Sequence, residues 1–142
     1  MFDLMNTISV VLSFLLLLVT GQAVQAQTIQ FTVVDIALKN GESAEIANVF
    51  YISSTCKSLL KGTPAVEIID GPPGVVAAIN PANVVPREVG CANPVGGGKL
   101  VVTAGNVEAY SYTRMVLRVN FKTLNGDRQQ SVNINVTLYP QS

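Results

Sequence analysis

Two nine-residue stretches near the C-terminal end alternate apolar and polar side chains with a period of two, and nothing else in the sequence restricts the fold as much. In Arg114–Lys122, Met115, Leu117, Val119 and Phe121 share one face, while Arg114, Arg118, Asn120 and Lys122 share the other. In Ser131–Tyr139, Val132, Ile134, Val136 and Leu138 alternate with Ser131, Asn133, Asn135 and Thr137. Successive side chains of a strand point to opposite sides of the sheet, so each stretch reads as a strand with one buried face. Leu124-Asn125-Gly126-Asp127 separates them. Asn-Gly tolerates the positive φ of a tight turn, which predicts a hairpin, its loop lengthened by Gln129-Gln130.

Shorter strand candidates precede this pair: Thr28–Leu38, Ala44–Ile52, Ala65–Ile69, Val75–Ile79 and Lys99–Ala104. Turn residues divide them, namely Lys39-Asn40-Gly41-Glu42, Asp70-Gly71-Pro72-Pro73-Gly74 and Asn80-Pro81. On this reading every proline lies at a strand boundary, where its missing N–H costs least. The segment Pro86–Gly98, with three consecutive glycines, reads as the densest loop, Ser54–Lys61 as room for one helical turn, and Thr103–Ser111 as a loop or short turn. The chain shows no internal repeat and no linker. About seven short strands in one domain predict an all-β fold, an immunoglobulin-like antiparallel β-sandwich with one disulfide. An antibody-type domain packs a tryptophan beside its disulfide, and this chain has none, so the resemblance is one of architecture.

The N-terminal block gives the expected destination. Ile8–Val19 reads ISVVLSFLLLLV, and small and polar residues follow, ending Val24-Gln25-Ala26. This predicts a secretory signal peptide over 1–26 and a single domain over 27–142, periplasmic or secreted, with no membrane attachment after cleavage. The apolar run is shorter than the ~20 residues a spanning helix needs. No Lys or Arg precedes it, which departs from the usual pattern. The two cysteines, Cys56 and Cys91, then meet an oxidising compartment, where an even count points to a structural disulfide. A redox pair is the alternative, and it lacks a C-x-x-C spacing although Lys57 adjoins Cys56.

The stretch from Cys56 to Ala104, with its Gly-Pro-Pro-Gly-Val turn, Cys91 and triglycine, resembles small exported bacterial proteins of unassigned role. That resemblance implies a fold and a location and carries no chemistry. Asn93-Pro94-Val95-Gly96-Gly97-Gly98 is similar to the Asn-Pro and Gly-rich loops of immunoglobulin-like cysteine-protease inhibitors. Their Arg-Pro-aromatic loop is missing here, since Arg87 follows Pro86 and precedes Glu88.

Composition narrows the chemistry. There is no histidine, so no Ser-His-Asp or Cys-His arrangement exists. Charged residues make up 13% of the chain, about half the usual share, and nine basic residues face nine acidic ones, which argues against a nucleic-acid partner. The carboxylates Asp35, Glu42, Glu45, Glu67, Asp70, Glu88, Glu108 and Asp127 form no motif and read as solvated surface. Ser53-Ser54-Thr55 before Cys56 lacks an activating base other than Lys57 or Lys61 and reads as a polar strand end. Gly96-Gly97-Gly98 could cradle an anion, but no Lys-Ser/Thr follows as in a phosphate loop. Asn135-Val136-Thr137 matches a glycosylation sequon on an outward strand face. Tyr51, Tyr110, Tyr112 and Tyr139 are the adhesive aromatics. The expectation is a module without catalytic activity or cofactor that meets a protein partner through loop residues Asn93, Pro94, Gly96, Gly97, Gly98, Tyr110 and Tyr112. The alternatives are a secreted protease-inhibitor-like module using the 86–98 loop, a pilus-type subunit with Thr28–Leu38 as donor strand, and a carboxylate-based hydrolase.

Overall fold

A computed structural model describes residues 34–140; the leader and the Thr28–Val33 part of the first strand candidate lie outside them. Seven strands are present: β1 (Val34–Lys39), β2 (Ser43–Val49), β3 (Ala65–Asp70), β4 (Val75–Val84), β5 (Val95–Ala104), β6 (Ser111–Thr123) and β7 (Gly126–Tyr139). They form two sheets, ordered β1-β7-β6-β3 and β2-β5-β4. With β1 set aside, β3, β6 and β7 lie against β2, β5 and β4 in the strand order of an immunoglobulin sandwich. The ladders are antiparallel except one. β1 runs parallel to β7, Val34 beside Ile134 through Lys39 beside Tyr139, so the first and last strands close one side of the sheet.

The alternating faces build the core. Met115, Leu117, Val119 and Phe121 of β6, and Val132, Ile134, Val136 and Leu138 of β7, are all buried, and they pack on Leu100, Val102 and Ala104 of the facing β5. Each such large side chain contributes roughly 1.5–3 kcal/mol of burial, against an extended reference chain that makes this an upper figure. A smaller cluster of Phe50, Ile52, Val84 and Cys91 fills one end.

Four details differ from the sequence reading. β4 does not stop at Asn80-Pro81 but runs through both to Val84, with Pro81 opposite Gly98. β4 is an edge strand, the place in a sheet where proline is tolerated because half of its N–H groups face no partner strand. Gly96, Gly97 and Gly98 are not loop residues; they begin β5, the central strand of its sheet. Gln129 and Gln130 do not extend a loop, because the β6–β7 ladder is continuous to Thr123 and Gly126. In that turn Gly126 alone takes the positive φ, 99°. Finally, 54–61 holds turns and isolated bridges, Ile52 to Ser58 and Leu60 to Thr123, rather than a helical turn. The only helical element among the described residues is a 3-10 turn at Arg87–Val89. No helix among the described residues is long and apolar enough to cross a membrane.

Candidate contact surface

The strand ends gather the connections into two groups. At the upper end lie the β1–β2 turn, the β3–β4 turn, the 105–110 connection and the end of β7. At the lower end lie the 50–64 and 85–94 connections and the β6–β7 turn. The residues expected to form one contact loop are split between these ends: Asn93 and Pro94 fall at the lower end, Tyr110 and Tyr112 at the upper. The two sets are about a sandwich length apart, because β5 carries the chain from one end to the other.

The upper end is braced by its own backbone. Gly41 N–H donates to the Ala104 carbonyl at 2.7 Å, and Gly105 N–H donates to the Gly74 carbonyl at 2.7 Å. Val107 N–H donates to Asn40 Oδ1 at 3.0 Å, tying the 105–110 connection to the first turn. Gly74 has φ 81°, and a Cβ there would run into the Gly105 carbonyl oxygen, so a side chain is excluded twice over. Between the Pro72-Pro73-Gly74 turn and the Asn106–Tyr110 connection lies an open groove of about 620 Å³, with Leu138 at its back.

Three of the chain's four tyrosines stand at this end. Tyr110 is 61% exposed, Tyr112 63% and Tyr139 42%. The hairpin register explains their meeting. Ser111 pairs with Leu138 and Tyr112 with Thr137, which sets Tyr110 beside Tyr139. Their ring centroids are 5.4 Å apart at an interplanar angle of 60°. Tyr110 also lines the groove, so aromatic corner and groove form one surface. The remaining tyrosine, Tyr51, is half-buried and packs on Phe121 with centroids 5.5 Å apart.

The lower end is stapled. Cys56 and Cys91 form the disulfide, Cα–Cα 5.8 Å, linking the β2–β3 connection to the β4–β5 connection. Cys91 N–H donates to the Pro86 carbonyl at 3.0 Å, and both residues are buried. The 86–98 segment therefore lies down on the Phe50 cluster, exposing Ala92, Asn93 and Pro94. Gly96 is exposed, Gly97 half-buried and Gly98 buried. Gly98 sits between Val49 of β2 and Pro81 of β4, so this glycine run is committed to ladders and does not make the open backbone cradle an anion needs. The glycines instead border a second, shallower groove of about 460 Å³, where Ser58 Oγ donates to the Gly96 carbonyl at 3.3 Å.

The remaining candidates have structural partners. Ser53 Oγ accepts from Lys57 N–H at 3.2 Å and bonds Thr55 Oγ1 at 3.0 Å, closing the turn that carries Cys56. All eight carboxylates among the described residues are exposed. Glu45 pairs with Lys99, Glu67 with Arg118 and Asp127 with Lys122. Asn135 is half-buried, and its Nδ2 donates to Asp35 Oδ1 at 2.8 Å across the parallel ladder. No group of three acidic or cysteine side chains among the described residues is placed to hold a metal ion.

The sequence reading missed Tyr139 as Tyr110's partner and Pro72-Pro73 as a groove wall. Counting outward from Asn125-Gly126 as the two turn residues would have set Tyr112 opposite Tyr139; the ladder turns at Leu124-Asn125 instead, and that shift brings Tyr110 there. The groove wall depends on which turns share an end, which the pattern of strands does not state. No protein-family model and no curated protein matches the sequence.

Proposed function

We propose that the chain is an exported β-sandwich module of the cell envelope or secreted space that binds a protein partner through the tyrosine corner and its groove, and that it catalyses nothing. The observation carrying this reading is the exposure of three neighbouring tyrosines beside an open groove, at the end left free of the disulfide. Tyrosine brings a large rigid contact area with a polar tip and is enriched where partners meet. Export is supported by the apolar leader pattern and by the disulfide, which persists in oxidising compartments. An inhibitor-type contact through 86–98 has less support, because that segment packs down instead of projecting.

The test is affinity capture from an extracytoplasmic extract of the protein's own source, run with three baits. These are the unaltered chain, Tyr110→Ser/Tyr112→Ser/Tyr139→Ser, and Asn93→Ser/Pro94→Ser. A protein retained by the first and third baits and lost by the second is expected. Retention unaffected by the tyrosine changes, or no specific protein retained by a folded bait, overturns the reading.

A further inference from the structure

We propose that Tyr110 and Tyr139 form an oxidative cross-linking site, at which a peroxide-driven one-electron oxidant joins the two rings covalently within one chain. The ring centroids are 5.4 Å apart, and the paired strands beneath hold them there through Ser111 and Leu138. Both rings are open to an external oxidant, at 61% and 42% exposure. In the reaction each phenol gives up one electron and its O–H proton, reducing one hydrogen peroxide to two waters, as a haem peroxidase does. The two phenoxyl radicals couple at carbons ortho to oxygen, forming one C–C bond. The two ring C–H hydrogens then move to the oxygens and restore both phenols. Two phenols and one peroxide thus give one biphenol and two waters.

The rest of the described domain directs oxidation to this corner. The chain has no tryptophan and no histidine, and its two cysteines are already joined to each other. Met1 and Met5 lie outside the described residues, and Met115, the one methionine within them, is fully buried in the core. Tyr51 meets a phenylalanine rather than a second phenol, so a radical there has nothing to couple with. Tyr112 is the competitor, since it is 63% exposed and stands diagonal to Tyr139 across Thr137. Diagonal neighbours on a sheet stand about 7–8 Å apart, against about 4.5–5.5 Å between the Cβ atoms of directly opposed residues, the relation of Tyr110 to Tyr139. The new bond would fasten the 105–110 connection to the end of β7, closing the upper end covalently as Cys56–Cys91 closes the lower. This holds whether or not the surface also binds a partner.

The experiment treats the full chain, dilute, with hydrogen peroxide and a haem peroxidase. The readouts are intact mass, biphenol fluorescence and peptide mapping. The expected product is a monomer lighter by two hydrogens, with Tyr110 joined to Tyr139. Tyr110→Phe and Tyr139→Phe keep the rings, abolish this product, and are each expected to lower the total yield of monomer lighter by two hydrogens about tenfold by removing the held partner. Tyr51→Phe is expected to leave it unchanged. Coupling chiefly between molecules, a Tyr112–Tyr139 product, or an undiminished yield in Tyr110→Phe overturns the proposal.

Discussion

Replacing the three consecutive glycines of β5 one at a time by alanine separates packing from backbone freedom. None of the three needs a positive φ, so conformational permissiveness is not what selects glycine here. The surroundings differ sharply. A Cβ on Gly96 meets nothing within 4 Å. A Cβ on Gly97 would run into the Val49 carbonyl oxygen, and one on Gly98 into the Ile79 side chain and to 2.9 Å from the Asn80 carbonyl oxygen. Carbonyls of neighbouring strands cannot turn aside as a side-chain tip does, so both changes force strands apart. Overpacking of this kind costs about 1–3 kcal/mol, and the stiffer unfolded chain returns about 0.4–1 kcal/mol. Gly97→Ala and Gly98→Ala should each lose about 2 kcal/mol, while Gly96→Ala should be neutral or gain up to about 1 kcal/mol. In thermal unfolding followed by far-UV circular dichroism, 2 kcal/mol corresponds to a Tm lower by roughly 10 °C. Three equal effects, or a Gly96→Ala loss as large as that of Gly98→Ala, would refute the assignment of this run to a central strand.

Three further outcomes are expected. Cys56→Ala/Cys91→Ala should cost about 4 kcal/mol in urea unfolding, from the chain entropy of a closure between residues 35 apart; an unchanged midpoint would count against the bridge. Leu117→Ala, in a fully buried position, should lose about 3 kcal/mol, while Val76→Ala, 62% exposed, should stay within about 0.5 kcal/mol by the same measurement. Arg118→Ala removes a 3.1 Å ion pair with Glu67 whose side chains are 40% and 50% exposed, and it should change stability by no more than about 0.5 kcal/mol, less still in high salt.

The fold was legible where one residue pattern answered to one force. Alternation in β6 and β7 reports burial directly, because a one-residue slip would turn every apolar side chain to water. Asn125-Gly126 marked the hairpin, although its turn residues are Leu124-Asn125, and the two cysteines had each other as their intrachain partner. What escaped depends on neighbours distant in sequence. Pro81 and Gly96–Gly98 are breakers taken alone, yet the proline lies on an edge strand, and Gly97 and Gly98 lie where close strands leave little room for side chains. The parallel seating of β1 on β7 depends on which sheet the first strand joins, and alternation is the same in either sheet. The candidate surface was half legible for the same reason. Tyr110 and Tyr112 stand out as aromatic residues in a polar stretch, but the separation of Asn93 and Pro94 from them follows from strand direction. No local motif records that direction.

Hydrogen–deuterium exchange of the protein, alone and with the partner retained by the unaltered bait, tests the central claim most directly. Slower exchange on binding is predicted at 71–74, 105–112 and 138–139, with 86–98 unchanged. Protection confined to 86–98 and the neighbourhood of the disulfide would contradict it.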